Sequence, residues 1–248
     1  DQARYLRFQF WRFGAEVTLA KNRLKHDAVN VVLGAHLGFD PELRKRYACI
    51  FFNLEQMGEG GAQVSEAYRQ LLGTSAVFDY DDGNPPQYTS YVDDVPLLSF
   101  GHAAYLEPSN IPMNERPIDL LFFGSMNERR RRIIQDIEEA GGNVTLLDGP
   151  VYGPERDALI RQSKAVLNCH YYETARFEQA RVFQCLSLGT PVISERLAAT
   201  RPATQFEDAV FWVPEGGWQN FIREQFLTEG FAHVAAHKLQ AFQQHDLV

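Results

Sequence analysis

The feature that most constrains this chain is an alternation that runs from one end to the other. Short apolar runs of strand length give way to segments with helical spacing, then to apolar runs again. A strand covered on both faces has no polar side to alternate with, so it reads as unbroken Val, Ile, Leu and Phe. Short connections through helices then force neighbouring strands to lie parallel. In the first half the spacing predicts strands over 16–20, 29–34, 49–54, 76–80 and 95–100. A helix is expected over 3–13, stopped by Gly14, and another over 65–72, opened by Ser65 and ended by Gly73. Asp40-Pro41-Glu42 reads as a helix start, with Asp as cap and Pro at the first helical position.

The pattern breaks once. Residues 107–117 hold Pro108, Pro112 and Pro117 among Ser109, Asn110 and Asn114, the composition of a semi-rigid linker. Beyond it strands are expected over 118–123, 143–147, 165–169, 191–194 and 210–213. Helices are expected over 127–140, 154–163 and 177–188, with a helical tail from Trp218. The fold class that follows is α/β: two doubly wound, Rossmann-like domains, 1–107 and 118–248, facing each other across a cleft where a ligand binds. The first half opens with a helix where such a domain opens with a strand, and Asp1 is not Met. A first strand ahead of Asp1, and a longer polypeptide, are therefore expected.

Charge and composition narrow the partners. With 24 Lys and Arg against 32 Asp and Glu the formal net charge is −8, so the broad positive field that holds nucleic acid is absent. No run of about 18 apolar residues exists to span a membrane, and no signal peptide is visible. Cys49, Cys169 and Cys185 lack metal-ligand spacing and read as buried reduced thiols of a cytoplasmic protein.

Three segments carry chemistry. In the first, the run 120–123 ends in Gly124-Ser125 and a helix follows at once, which aims free N–H groups and a positive helix end at an anion. Ser125 or Asn127 can cap that helix or bond a phosphate oxygen. Arg129–Arg132 oppose the helix dipole unless some of them meet a phosphate. In the second, Asn168, His170, Tyr171, Tyr172 and Glu173 crowd the carboxyl end of a strand, and Glu178 and Arg181 share a helix face three residues apart. In the third, a helix closes on Gly189 and turns through Thr190-Pro191 into Val192-Ile193-Ser194-Glu195.

Taken together, Phe-Gly-Ser, then Asn-Cys-His-Tyr-Tyr-Glu, then Glu178-x-x-Arg181 running on to Gly-Thr-Pro-Val-Ile-Ser-Glu resemble the donor-binding domain of GT-B glycosyltransferases of bacterial and viral type. The likeness covers about residues 118–215, and the first half only in topology. It implies a metal-independent transferase with a nucleotide-sugar as co-substrate, no resident cofactor, and a glycan, lipid-linked or protein acceptor held by the first domain. Carried onto this chain, Gly124, Ser125, Arg129 and Arg130 lie by the diphosphate. Asn168, His170, Tyr171 and Tyr172 line the base and sugar pocket. Glu178 and Arg181 contact ribose or phosphate, and Gly189 and Thr190 frame the site. Other readings are a sugar-nucleotide epimerase or phosphorylase-like enzyme, and a non-catalytic nucleotide-sugar-binding module.

The resemblance has a gap. Arg176 and Gln184 stand where many retaining members carry a pair of glutamates. That leans toward inversion, which needs a general base on the acceptor side. The candidates are His36, then Glu55, then His102. Glu55–Gly61 reads as a flexible loop able to close over an acceptor.

Overall fold

The computed structural model describes residues 1–147, 149 and 151–245. They form two compact units, Asp1–Phe100 and Gly101–Val248.

The first unit opens with helix α1 (Gln2–Arg12) and carries a parallel sheet in the order β1 (Asn30–Leu33), β2 (Cys49–Asn53), β3 (Ala76–Asp79). Val32 pairs with Phe51 and Phe51 with Val77, so the apolar register is continuous across the sheet. Between β2 and β3, helix α2 (Glu66–Gly73) starts where Ser65 Oγ accepts the N–H of Tyr68, and lays Tyr68, Leu71 and Leu72 on Phe51 and Val77. Asp40 does cap a helical turn, but that turn is a short 3-10 segment, Pro41–Lys45.

Two expected strands are absent. Residues 16–20 join no sheet, and only Val17 among them is even partly buried, so no burial offsets the entropy of ordering them. Residues 95–100 contribute one bridge, Asp79 to Leu97. Pro96 lacks an N–H, which leaves Asp79 N to Pro96 O and Leu98 N to Asp79 O as the contacts at that edge.

The second unit is a five-stranded parallel sheet in the order β5-β4-β6-β7-β8, with β4 Ile118–Phe122, β5 Val144–Leu146, β6 Ser163–Asn168, β7 Val192–Arg196 and β8 Phe211–Pro214. Helices α3 (Glu128–Glu139), α4 (Pro154–Arg161), α5 (Gln179–Ser187), α6 (Thr204–Glu207), α7 (Trp218–Phe221) and α8 (Phe231–Gln243) connect and follow the strands. Leu120, Phe122, Ile137, Ala165, Leu167 and Ile193 form the centre of its core. From β4 the chain goes outward to β5 and then returns to the other side of β4 as β6. The neighbours β4 and β6 therefore flank the switch point where doubly wound sheets open a crevice at their carboxyl ends.

The division between the units falls at Phe100/Gly101, and the proline-rich stretch 107–117 is fixed to the second unit instead of running free between two halves. Ser109 N–H donates to Leu188 O, and Ser109 Oγ to Arg161 O. The buried guanidinium of Arg116 donates to Ser163 O at 2.9 Å, Gly189 O at 3.0 Å, Thr190 Oγ1 at 3.2 Å and Ile111 O at 3.2 Å. One arginine thus ties the proline-rich segment to the start of β6 and to the turn into β7 by satisfying a carbonyl of each. All three cysteines are free thiols; Cys169 and Cys185 are buried and Cys49 partly so.

Candidate functional site

The carboxyl ends of β4 and β6 are joined by side chains from both loops. β4 ends at Phe122, and Gly124 follows with φ +135°, a conformation open to glycine. A Cβ there would stand 3.2 Å from Arg181 Nη2 and 3.4 Å from Arg130 Nη1, so the bare Cα faces two guanidiniums. Asn127 caps α3 by accepting the N–H of Arg130, and its amide donates to Tyr171 O at 2.8 Å, tying the β4 loop to the β6 loop.

The four consecutive arginines divide in two. Arg130 falls three, four and seven residues before Ile133, Ile134 and Ile137, all buried, and so it turns inward with them. Its guanidinium, 2% exposed, donates twice to Cys169 O (2.9 and 2.7 Å), once to Ser125 O (2.7 Å) and once to Glu178 Oε1 (3.2 Å). It also lies 5.2 Å from the centre of the Tyr171 ring. Burial lowers its basicity, and Glu178 opposes that shift. Arg129 pairs with the buried Glu195 and donates to His170 O, and the hydrogen bond to Glu195 raises its basicity. Arg131 and Arg132 are exposed and pair with Glu128.

Glu178 directly precedes α5, a helix end that favours a carboxylate. Its two oxygens receive Arg130 and Arg181, the latter at 2.7 Å. Glu178 thus orients two guanidiniums. Arg181 Nη1 is buried and has no hydrogen-bond partner among the described residues. The same holds for Asn168 Oδ1 and for both ring nitrogens of His170. Asn168 Nδ2 donates to Ser194 Oγ at 3.0 Å, while the His170 backbone N–H donates to Glu195. Burial holds the His170 imidazole below its ordinary pKa, and the charges of Glu195 and Glu178 partly oppose that shift. Tyr171 and Tyr172 meet edge to face at 4.8 Å.

Gly189 and Thr190 do not frame this site. Helix α5 runs back against the strand direction, so its start lies by Arg181 and its end lies at the amino edge of the sheet. There Gly189 O and Thr190 Oγ1 accept from Arg116, and Thr190 Oγ1 donates to Ile160 O. Their role is to hold the turn into β7. Glu195 is the residue that sequence reasoning left without a role; a carboxylate directly following the apolar run into β7, near that strand's carboxyl end, was its signal. Gln184, at the position of a family glutamate, donates to Asp157 Oδ1 and accepts from Arg156 Nη2 at 2.8 Å, a neighbourhood already neutralised by the Asp157 carboxylate.

In the first unit His36 and Glu55 come together. His36 sits on a 3-10 turn after β1, entered through Gly34 at φ +73°, and Glu55 follows β2. Nδ1 of His36 is 3.4 Å from Glu55 Oε1, and its ring meets Tyr68 edge-on at 5.9 Å. His102 lies in the second unit, its N–H donating to His245 O and its ring on Phe242. The loop after Glu55 is pinned, not free. Met57 is buried, its N–H donates to Asn84 Oδ1, and Ala62 N–H closes on Gln56 O.

Beneath that loop lies a network the sequence did not reveal. Asp79, at the end of β3, accepts from Asn53 Nδ2 (2.9 Å), Asn84 Nδ2 (2.7 Å), Tyr88 OH (3.0 Å) and the N–H of Tyr80. Burial pushes its pKa up, partly offset by these bonds. Asp79-Tyr80-Asp81 is an Asp-x-Asp triplet, yet Asp79 is consumed by these donors and Asp81 accepts the N–H of Gly83. Among the described residues no group of three His, Cys, Asp or Glu is placed to hold a metal ion.

No family model matches the chain. A stretch of 78 residues, 31% of the chain, is 36% identical to uncharacterized protein L138 of Acanthamoeba polyphaga mimivirus, of which it spans 9%. The crystal structure of TarM, a GT-B glycosyltransferase, matches 88% of the chain with a TM-score of 0.55 at 11% identity. Sucrose-phosphate synthase from Thermosynechococcus elongatus matches 81% of it at 14% identity, with a TM-score of 0.47. The chain has the GT-B type of fold, with parallel-sheeted, Rossmann-like units. It spans about half the length of TarM, 51%.

Proposed function

We propose that the chain takes part in glycosyl transfer from a nucleotide-sugar to an acceptor hydroxyl, without a metal. The observation that carries the reading is the cradle at Gly124. A bare Cα, two guanidiniums that a Cβ there would meet at 3.2 and 3.4 Å, and a buried Arg181 nitrogen lacking a partner among the described residues leave donors for an anion at a sheet switch point. As the bond from the sugar to the diphosphate breaks, negative charge grows on the leaving phosphate. Arg130, Arg181 and the amino ends of α3 and α5 are fixed dipoles and charges that offset it without reorganising.

The acceptor half of the reaction falls to His36 and Glu55. With Nδ1–H directed at Glu55, Nε2 of His36 is the basic nitrogen, and Glu55 stabilises the imidazolium that forms. The acceptor oxygen attacks the anomeric carbon, its proton passes to Nε2, and the electron pair of the broken C–O bond leaves with the diphosphate. A single displacement of this kind inverts the anomeric centre.

Titration calorimetry with a panel of nucleoside diphosphates and their sugars tests the donor half. One of them binds the wild type, and Arg181→Ala weakens it at least about tenfold, the loss of one charge-assisted bond. Equal affinity for both proteins removes the cradle from consideration. Consumption of a bound nucleotide-sugar without acceptor favours an epimerase, and binding without turnover under any acceptor favours a binding module.

A further inference from the structure

The start of the first unit carries a surface unlike the rest of the molecule. Residues 1–25 contain Arg4, Arg7, Arg12, Lys21, Arg23 and Lys25 against Asp1 and Glu16, a surplus of four positive charges in a chain whose formal net charge is −8. The remaining residues therefore carry −12. On α1 the positions 4, 7 and 11 follow helical spacing, so Arg4, Arg7 and Trp11 share one stripe, and all three are exposed. The opposite face buries Tyr5 and Leu6, with the Tyr5 ring on Phe100 at 5.3 Å. Trp11 is 67% exposed, and Phe13, just past the helix, 69%. Gly14 turns the chain at φ +80°, and the extended segment beyond it exposes Leu19 followed by Lys21, Arg23 and Lys25.

Large exposed apolar side chains interleaved with cations are costly in water alone and ordinarily mark a surface that meets something. The mixture here selects a partner. Trp and Phe rings partition into the headgroup region of a bilayer, while Arg and Lys are drawn to anionic lipid and let their apolar stems follow the rings in. Nucleic acid accounts for the cations and a stacked Trp11, but gives Phe13 and Leu19 no apolar phase to enter. No helix among the described residues is long and apolar enough to cross a membrane, so the contact is peripheral.

We infer that Arg4, Arg7, Trp11, Arg12 and Phe13, with Lys21–Lys25, form a docking surface for an anionic lipid bilayer. This rests on the surface alone and holds whether or not the chain transfers sugars. The test is flotation of the chain with vesicles of phosphatidylcholine alone and of phosphatidylcholine mixed with phosphatidylglycerol, at low and high salt. Binding is expected to the mixed vesicles, to fall with salt, and to blue-shift the emission of Trp11. Arg4→Ala with Arg7→Ala is expected to weaken it about thirtyfold, from two cations near a charged surface. Trp11→Ser with Phe13→Ser is expected to remove it while the circular dichroism stays unchanged, because both rings are already in solvent. Absence of binding by the wild type, equal binding to neutral vesicles, or full binding by the Trp11→Ser, Phe13→Ser protein overturns the inference. So does preference for a single-stranded oligonucleotide over the mixed vesicles.

Discussion

Arg130→Met separates two ideas about the site that look alike on paper. If Arg130 is only a surface cation, its loss changes little; if it is the pin between the β4 and β6 loops, the second unit loosens. Methionine keeps the length of the stem and deletes the donors. Cys169 O, on a fully buried residue, loses two bonds, while Ser125 O, on an exposed residue, loses one that water can replace. A buried acceptor stripped of its partner costs about 1–3 kcal/mol. Glu178 loses little, since it keeps Arg181 at 2.7 Å and its side chain is 28% exposed, so its share is discounted for solvent screening. Against these losses, a guanidinium no longer has to be desolvated, the cost that depresses its basicity.

The net expectation is a loss of about 2–4 kcal/mol, which for a unit of this size lowers the melting midpoint by roughly 6–15 °C. Urea unfolding followed by the emission of Trp218, buried in that unit, reads it directly. A cycle with Glu178→Gln gives a coupling below about 1 kcal/mol, because the partly solvated pair is the smaller part of the effect. A shift in stability under about 1 kcal/mol for Arg130→Met refutes the pin, and a coupling that accounts for the whole loss refutes its division between carbonyls and carboxylate.

Gly124→Ala is expected to cost the fold at least about 1–2 kcal/mol, because an alanine is strained at φ +135° and its Cβ presses on two guanidiniums that are held in place, and to weaken nucleoside diphosphate binding at least about tenfold in calorimetry. Arg116→Ala is expected to lower stability by about 2–4 kcal/mol in urea unfolding with diphosphate affinity unchanged, because its bonds all lie at the opposite edge of the sheet. His170 is held below its ordinary value of 6.5, so above that pH both states are neutral. Below it the unfolded chain takes up a proton that the fold refuses, and stability falls with pH. His170→Asn is expected to flatten that acid limb, by up to about 1.4 kcal/mol per pH unit, in melts taken across it. Glu55→Gln is expected to lower kcat about 10²–10⁴-fold with the donor's KM retained, in turnover of whichever nucleotide-sugar the chain consumes.

Much of the second unit was legible because its strands are buried on both faces. Runs such as Leu120-Leu121-Phe122 and Ala165-Val166-Leu167 leave a sequence no other reading, and the glycine after β4 marks the turn. The first unit was less so. Residues 16–20 have strand composition, but composition does not supply a neighbour to pair with, and Pro96 spoils the edge where residues 95–100 would have joined. Asp79 was hidden for another reason. Its donors come from two places: the parallel register sets Asn53 opposite it, and the loop after β3 folds Asn84 and Tyr88 back onto it, a turn that no strand or helix period announces.

The motif around α5 shows why a family pattern locates a site more surely than it assigns the residues in it. The helix is nine residues long, about 13 Å, and antiparallel to the strands it connects, so its two ends lie at opposite edges of the sheet. Glu178 and Arg181 at one end meet the cradle, whereas Gly189 and Thr190 at the other meet Arg116 and the turn into β7. A single stretch of sequence therefore carries an anion-handling end and a purely architectural end. The same logic divides the arginine run, where one step of 100° per residue along α3 decides which side chain is buried. Periodicity against Ile133, Ile134 and Ile137 assigns Arg130 to the interior before any fold is known, and charge alone does not. Two guanidiniums facing one bare Cα are thus the product of helix phase on α3 and helix direction on α5.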